Sequence, residues 1–480
     1  MECGWNFSAV GSSCVEPPPE ADGSRAPSPQ RRPDRARSPM LIVAGALVLA
    51  LLAPLPWLGD LRYAQGPYLT LITAATLVLY LGFYLSGRRN AEPGRRIVVV
   101  VALLLRLAML PMEPSLSDDA YRYLWDGRLL LNGVNPYLHI PADSSLVRFH
   151  DELFRLQGYP TTHTIYPPGM QVLFAASVAL AEPFGAGHAG GFAAWKLLVI
   201  AADMLAIWLL VIMLERLGHS RRPALLYAWH PLAVVELAGQ GHTDVFWALG
   251  LGLALYGYMM RSAGGGVPGL AIGGILRLYP LALLPLWGRF LGARMWVQGL
   301  LLSLPVFLFM LPLLDPAALD NYATVLARFT NYYEFNGGFY YAVKWMADEL
   351  RLAPSNRIAG AIGTGAQLLI FLMLWLRMPR DRSMPGLAWR ALLLVTAQIL
   401  LGAKVHIWYF VAPLYLLPLV SRHALQRAWL WALLAAPFTY MIYTSDPPRE
   451  SMTVVAIEWG GFALLAAWDF YRSRHRSANS

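Results

Sequence analysis

Cysteine is almost absent from this 480-residue chain: only Cys3 and Cys14 occur, both in a polar N-terminal stretch. That excludes a disulfide framework and a cysteine-ligated metal site. Charge is scarce as well. Only 14% of residues are charged and 57% are hydrophobic, against about 25% charged in an ordinary soluble domain, so a water-soluble globule would lack the polar surface to cover itself. Acidic side chains number 29 against 38 Lys and Arg, a formal net charge of +9. The excess sits in short loops between apolar runs, which reads as a topology signal and not as a nucleic-acid interface. A cleavable leader is not expected, because the first apolar run begins only near residue 40.

What the chain has instead is apolar length. Uncharged runs such as 41–57, 69–85 and 391–401 recur throughout, and the mean hydropathy is +0.45. Helices crossing a hydrocarbon core of about 30 Å leave this signature. The sequence predicts an all-α polytopic membrane protein with about 12–14 transmembrane helices and a large first extracytoplasmic loop carrying short interfacial helices. Residues 1–39 hold seven prolines and equal numbers of acidic and basic side chains and read as a disordered cytoplasmic tail. Met40 directly precedes the first apolar run, which leaves two start sites open, Met1 and Met40.

Arg31, Arg32, Arg35 and Arg37 place the N-terminus in the cytoplasm. Two helices at about 40–59 and 67–86 fill the N-terminal region 40–96, and a third at about 97–112 puts the polar stretch 113–167 outside. That stretch carries seven carboxylates and four arginines. Segment 168–183 is ambiguous. If it spans, Arg216, Arg221 and Arg222 fall outside; if it is interfacial or re-entrant, they fall inside, as do Arg377, Arg380, Arg382, Arg422, Arg427, Arg472, Arg474 and Arg476. The second threading is preferred. It gives helices at about 191–214, 223–240 and 243–260, a Pro-interrupted hairpin at 268–290, and helices near 295–314, 358–377, 388–403, 406–420, 428–444 and 451–469. Residues 97–420 then form a catalytic membrane module with an extracytoplasmic loop over 113–190, followed by C-terminal helices and a basic cytoplasmic tail over 421–480.

This threading brings Asp118-Asp119, His242-Thr243-Asp244, Tyr332 to Asn336 and Lys404-Val405-His406 to one membrane face. The densest motif is Ser117-Asp118-Asp119-Ala120-Tyr121-Arg122-Tyr123-Leu124-Trp125-Asp126-Gly127-Arg128, continuing to Asn135-Pro136-Tyr137. Helical spacing puts Arg122 and Tyr123 on the face of Asp119, with Asp126 one turn further. A carboxylate can take a hydroxyl proton while rings stack on a sugar; the bland reading is Asp–Arg pairs that cap a loop helix. Arg277 interrupts the apolar run 270–286, and an ionisable group there is a functional hypothesis by default; otherwise it snorkels or pairs with a helix end. Tyr332, Tyr333, Phe335, Tyr340 and Tyr341 suit an interfacial aromatic belt, with Asn336-Gly337-Gly338 a turn in their midst.

The run from Asp118 to Tyr137 resembles the first extracytoplasmic loop of GT-C glycosyltransferases. More narrowly it is similar to the bacterial polyprenol-phosphate-mannose-dependent mannosyltransferases, glycosyltransferase family 87 and its relatives. Ile165-Tyr166-Pro167-Pro168-Gly169, Trp229-His230-Pro231-Leu232 with Glu236, Gly241-His242-Thr243-Asp244, Leu278-Tyr279-Pro280, Phe335-Asn336-Gly337-Gly338 and Val405-His406-Ile407-Trp408-Tyr409 follow in the family's order. The resemblance covers about 97–420. It implies an inverting transfer of a sugar, mannose by preference, from a polyprenyl phosphate to an extracytoplasmic glycan or glycolipid at the bacterial inner membrane. The general base it implies is Asp119, with Asp118 the close alternative. Candidate phosphate contacts are Arg122, Arg128, Arg277, His242, Lys404 and His406. Candidate substrate contacts are Tyr121, Tyr123, Trp125, Asp126, Asn135, Tyr166, Asp244, Tyr333 and Asn336. No cofactor and no catalytic metal is expected, and no nucleic-acid partner. The rival reading is a secondary transporter or lipid flippase with a midplane site at Arg277 in the broken hairpin.

Overall fold

In hydrocarbon, backbone amides have no partner but one another, so long apolar runs fold as helices. The computed structural model describes residues 39–478 apart from 186, 380 and 421–424, and the side chains of 330–332 and 473–478 are not described either. The expected tail, with both cysteines and its arginines, thus lies outside the described residues save for Pro39; so do Arg380 and Arg422, and the side chains of Tyr332, Arg474 and Arg476.

The described residues are helical, with one isolated bridge between Phe335 and Lys404. In chain order come α1 (Pro39–Leu52), α2 (Gln65–Arg88), α3 (Arg95–Ala108), α4 (Asp119–Leu131), α5 (Glu152–Leu156), α6 (Pro168–Ala181) and α7 (Gly187–Arg216). Two short pieces follow, α8 (Leu225–Ala228) and α9 (Pro231–Ala233), then α10 (Val245–Met259), α11 (Val267–Leu276), α12 (Leu284–Phe290) and α13 (Ala293–Ser303). The chain continues through α14 (Pro316–Tyr332), α15 (Gly338–Glu349), α16 (Ser355–Leu376), α17 (Met384–Leu400), α18 (Val411–Leu416), α19 (Gln426–Ala435) and α20 (Met452–Ala478). This is an all-α polytopic membrane protein.

Six stretches among the described residues are long and apolar enough to cross a bilayer: 39–57, 65–88, 187–216, 293–313, 355–376 and 452–472. Shorter apolar helices at 245–259, 267–276, 384–400 and 407–419 lie between them. Proline explains most of the shortening, since it removes a backbone donor and clashes with the preceding turn. The expected helix 223–240 is broken by Pro231 and continues as a π-helical turn over Val234–Gly239. The expected helix 406–420 runs as 3-10, α and 3-10 pieces around Pro413 and Pro418. The 268–290 hairpin breaks at Arg277, whose backbone is extended before the 3-10 turn Tyr279–Leu283. Segment 168–183 forms α6, whose 14 residues rise about 21 Å.

One hydrophobic cluster runs from Leu41 of α1 to Phe462 of α20. Leu368, Leu369, Leu372 and Leu376 of α16 are exposed instead, a surface suited to lipid and not to water. Gly127 lets α4 lie against α6: a Cβ there would come within 2.5 Å of the Phe174 backbone. Deeper in the bundle, Arg106 of α3 donates from Nε to Asp203 of α7 at 2.8 Å, and Tyr227 of α8 donates to the other Asp203 oxygen at 2.7 Å. All three are fully buried.

Removing one member of such a pair strands the other charge, a loss of about 3–5 kcal/mol. Arg106→Met should therefore lower the thermal unfolding temperature of the detergent-solubilised protein sharply. Arg106→Met combined with Asp203→Leu should recover most of the loss; a double variant as unstable as the single one would show that the ion pair is not what holds α3 to α7.

Candidate functional site

The N-terminus of α4 is fixed locally. Ser117 Oγ accepts from the Asp119 backbone N–H at 3.1 Å, and Asp119 sits in the first helical turn, where the helix dipole favours a carboxylate. The two adjacent carboxylates then diverge. Asp118 is exposed and lies 3.5 Å from Arg62 of the α1–α2 loop, itself held by Asp60 at 2.8 Å. Half-buried Asp119 acts electrostatically on Tyr123, Tyr166, Asp244 and Lys404.

Those partners come from four separate stretches. Tyr123 stacks on Phe174 at 4.6 Å and meets Tyr166 edge-on at 5.0 Å. Asp244 stands before α10 and accepts from Arg277 Nη2 with both carboxylate oxygens, at 3.0 and 2.9 Å. The extended residue at the hairpin break thus turns its guanidinium to a buried counter-charge, with the rings of Tyr279 and Tyr409 5.8 and 5.7 Å away. Arg277 Nε has no partner in this arrangement.

The opposite wall is the 401–409 stretch. Phe335 N–H donates to the Ala403 carbonyl at 3.0 Å and Val405 N–H to the Phe335 carbonyl at 2.7 Å, which ties the loop 401–406 to the turn before α15. Lys404 Nζ lies 3.4 Å from the Phe329 ring centroid and 4.7 Å from that of Tyr333. Burial among these rings pushes its ammonium down to about 7, against the pull of Asp119. His406 stacks on Trp408 at 4.2 Å, and Trp408 on His242 at 3.8 Å.

The structure therefore brings together Asp119, Tyr123, Tyr166, His242, Asp244, Arg277, Tyr333, Lys404 and His406. The remaining candidates engage other parts of the protein. Arg122 pairs with Asp126 at 2.8 Å and donates to the Thr162 carbonyl at 3.0 Å, knitting α4 to the loop before α6. Arg128 pairs with Asp151 and lies 5.1 Å from the ring of buried Trp125. Tyr121 donates to Glu113 at 3.3 Å, and Asn135 donates to the Pro312 carbonyl at 2.9 Å. Asn336, left-handed at φ 52° and buried, donates to Glu458 at 3.2 Å and accepts from Trp459 of α20. Among the described residues no three His, Cys, Asp or Glu side chains group as a metal site would require.

Several contributors were assigned no site role from sequence. Glu236 is fully buried in the π-helical turn, 3.0 Å from His242 Nδ1, and accepts from Tyr440 at 3.1 and 3.0 Å. It is a lone carboxylate in an apolar run, so the rule that flags Arg277 flags it too. Trp408 and Tyr409 stood in the Val405–Tyr409 motif without a role of their own, and Arg62 and Phe329 carried no comparable signal.

A family model described as alpha-(1->6)-mannopyranosyltransferase, N-terminal domain, matches residues 38–286. That stretch includes Asp119, Glu236, His242, Asp244 and Arg277 and ends before Lys404. No curated protein matches the chain.

Proposed function

Since the chain belongs to the alpha-(1->6)-mannopyranosyltransferase family, and so is a membrane mannosyltransferase of GT-C type, we propose that its donor is polyprenyl-phosphate mannose and that Asp119 is the general base. The acceptor is an extracytoplasmic glycan or glycolipid, and the alpha-(1->6) linkage in the family's description is carried over as the product linkage. The observation that carries this reading is the divergence of the carboxylate pair: Asp118 turns to Arg62, while Asp119 lies within electrostatic reach of Lys404, Asp244, Tyr123 and Tyr166.

In this mechanism Asp119 takes the proton of the acceptor hydroxyl as its oxygen attacks the anomeric carbon. The anomeric carbon–oxygen bond breaks on the opposite face, and its electron pair leaves on the lipid phosphate. Arg277, Lys404, His242 and His406 supply the donors for that developing charge in a site largely screened from water. Tyr333 offers a ring face and a hydroxyl to the sugars, the buried Tyr123 and Tyr166 back this wall from within, and Asp244 keeps Arg277 in place. No metal is required by this scheme, and the polar wall faces the outer side of the bacterial inner membrane.

Asp119→Asn should lower kcat for mannosyl transfer by about 10²–10⁴ with the protein still accumulating, and Asp118→Asn should cost far less. Equal and full activity in both variants would remove the assigned base. Lys404 loses its charge as pH rises through about 7, so the donor KM should climb between about pH 6 and 8. Lys404→Arg stays charged and should give a flat donor KM; a KM profile unchanged by that substitution would take Lys404 off the phosphate. The native cysteines are Cys3 and Cys14 alone. With both replaced by serine, Ser144→Cys on the exposed loop should react with a membrane-impermeant maleimide in intact cells; reaction only after lysis would invert the proposed topology.

A further inference from the structure

Glu236 is a charge-bearing side chain with no part in the scheme above. Three observations surround it. Its carboxylate lies 3.0 Å from His242 Nδ1 and receives the Tyr440 hydroxyl on both oxygens. It is presented by a π-helical turn, in which the His242 backbone N–H closes onto the Glu236 carbonyl at 3.0 Å and Gly241 adopts φ 77°; such turns are frequent at functional sites. Finally, His242 is buried, clamped against Trp408, and its Nε2 has no hydrogen-bond partner.

Nδ1 also lies 3.2 Å from the Glu236 backbone carbonyl; carboxylate and carbonyl both only accept, so the Glu236 side keeps a proton on Nδ1. A neutral ring would then offer a bare lone pair at Nε2, which cannot hold an anion. A ring protonated on both nitrogens donates from Nε2, and the Glu236 anion balances its charge inside the bundle. We propose that Glu236 is a positioning residue that holds His242 as an imidazolium, with Nε2–H presented to the departing lipid phosphate as general acid. The proposal rests on the reading of His242 as a phosphate contact. As the anomeric carbon–oxygen bond breaks, its electron pair passes to the phosphate oxygen and the Nε2 proton moves onto that oxygen, while Asp119 holds the proton taken from the acceptor. Solvent exchange after product release resets both groups.

Other titratable or charged groups face this pair. Asp244 stands two residues from His242, Arg277 reaches in from the hairpin, and His406 and Lys404 come from the 401–406 loop. Tyr68 of α2 lies beside Glu236. Lys196 of α7 passes Gly241 and donates to the Met109 and Met112 carbonyls.

The test is the pH profile of kcat for transfer from polyprenyl-phosphate mannose. An imidazolium acid is lost as pH rises, so the alkaline limb reports it. Glu236→Gln keeps the shape and an acceptor oxygen but removes the anion. It should lower kcat at least about tenfold, leave donor KM within about threefold, and move the alkaline limb to lower pH by about one unit. Tyr440→Phe leaves the anion less well stabilised and should move the limb the opposite way, and it decides the matter alone if Glu236→Gln does not accumulate. An unmoved limb in the accumulating variants overturns the proposal, whereas a fully active Asp119→Asn removes the assigned base and not this proposal. A merely structural glutamate would shift thermal stability without displacing the limb.

Discussion

A charge in a bilayer-spanning bundle persists only with its counter-charge in contact, because low dielectric magnifies both the cost of isolation and the gain from pairing. The fold depends on that constraint at several depths. Arg106 and Asp203 join α3 to α7 at full burial, and Asp244 and Arg277 join the start of α10 to the hairpin break. Each pair fixes the rotation of its helices about their axes, which apolar contacts between smooth surfaces leave loosely specified. The polar wall is thus set by the same contacts that set the helix register.

The broken helices follow from the same economy. Proline and the π-helical turn free backbone groups that would be costly against lipid, and the breaks at Pro231 and Arg277 lie where the protein itself supplies partners. Pro231 and the 234–239 turn bring Glu236 under His242, and the break at Arg277 turns a guanidinium inward. Irregular backbone at 231–239 and 277–283 thus borders the polar wall, whereas the 3-10 stretch Leu304–Leu313 is largely exposed.

Much of this was legible in the sequence. Apolar runs gave the all-α membrane class, and the Pro-rich run around Arg277 gave the interrupted hairpin. The doublet Asp118-Asp119 could not be resolved, because the distinction lies in Arg62, an arginine in a loop outside the recognised motif. Asn336 sat beside aromatic residues and read as a sugar contact; its partners Glu458 and Trp459 are more than a hundred positions away. The helices α14 and α15 carry too much polar character to read as apolar runs, and the pairing of Phe335 with the 403–405 loop is a long-range contact that periodicity does not encode.

The tie between Asn336 and α20 has a consequence for the reach of the family-matched segment. Residues 38–286 contain one side of the polar site, with Asp119, Asp244 and Arg277. The facing wall is built by Lys404 and His406, and its turn is anchored by Glu458 and Trp459 near the end of the chain. A protein ending at the matched segment would keep the Asp244–Arg277 pair but lose the wall that faces it, so the last helix is a structural keystone of the polar site and not an appendage to it.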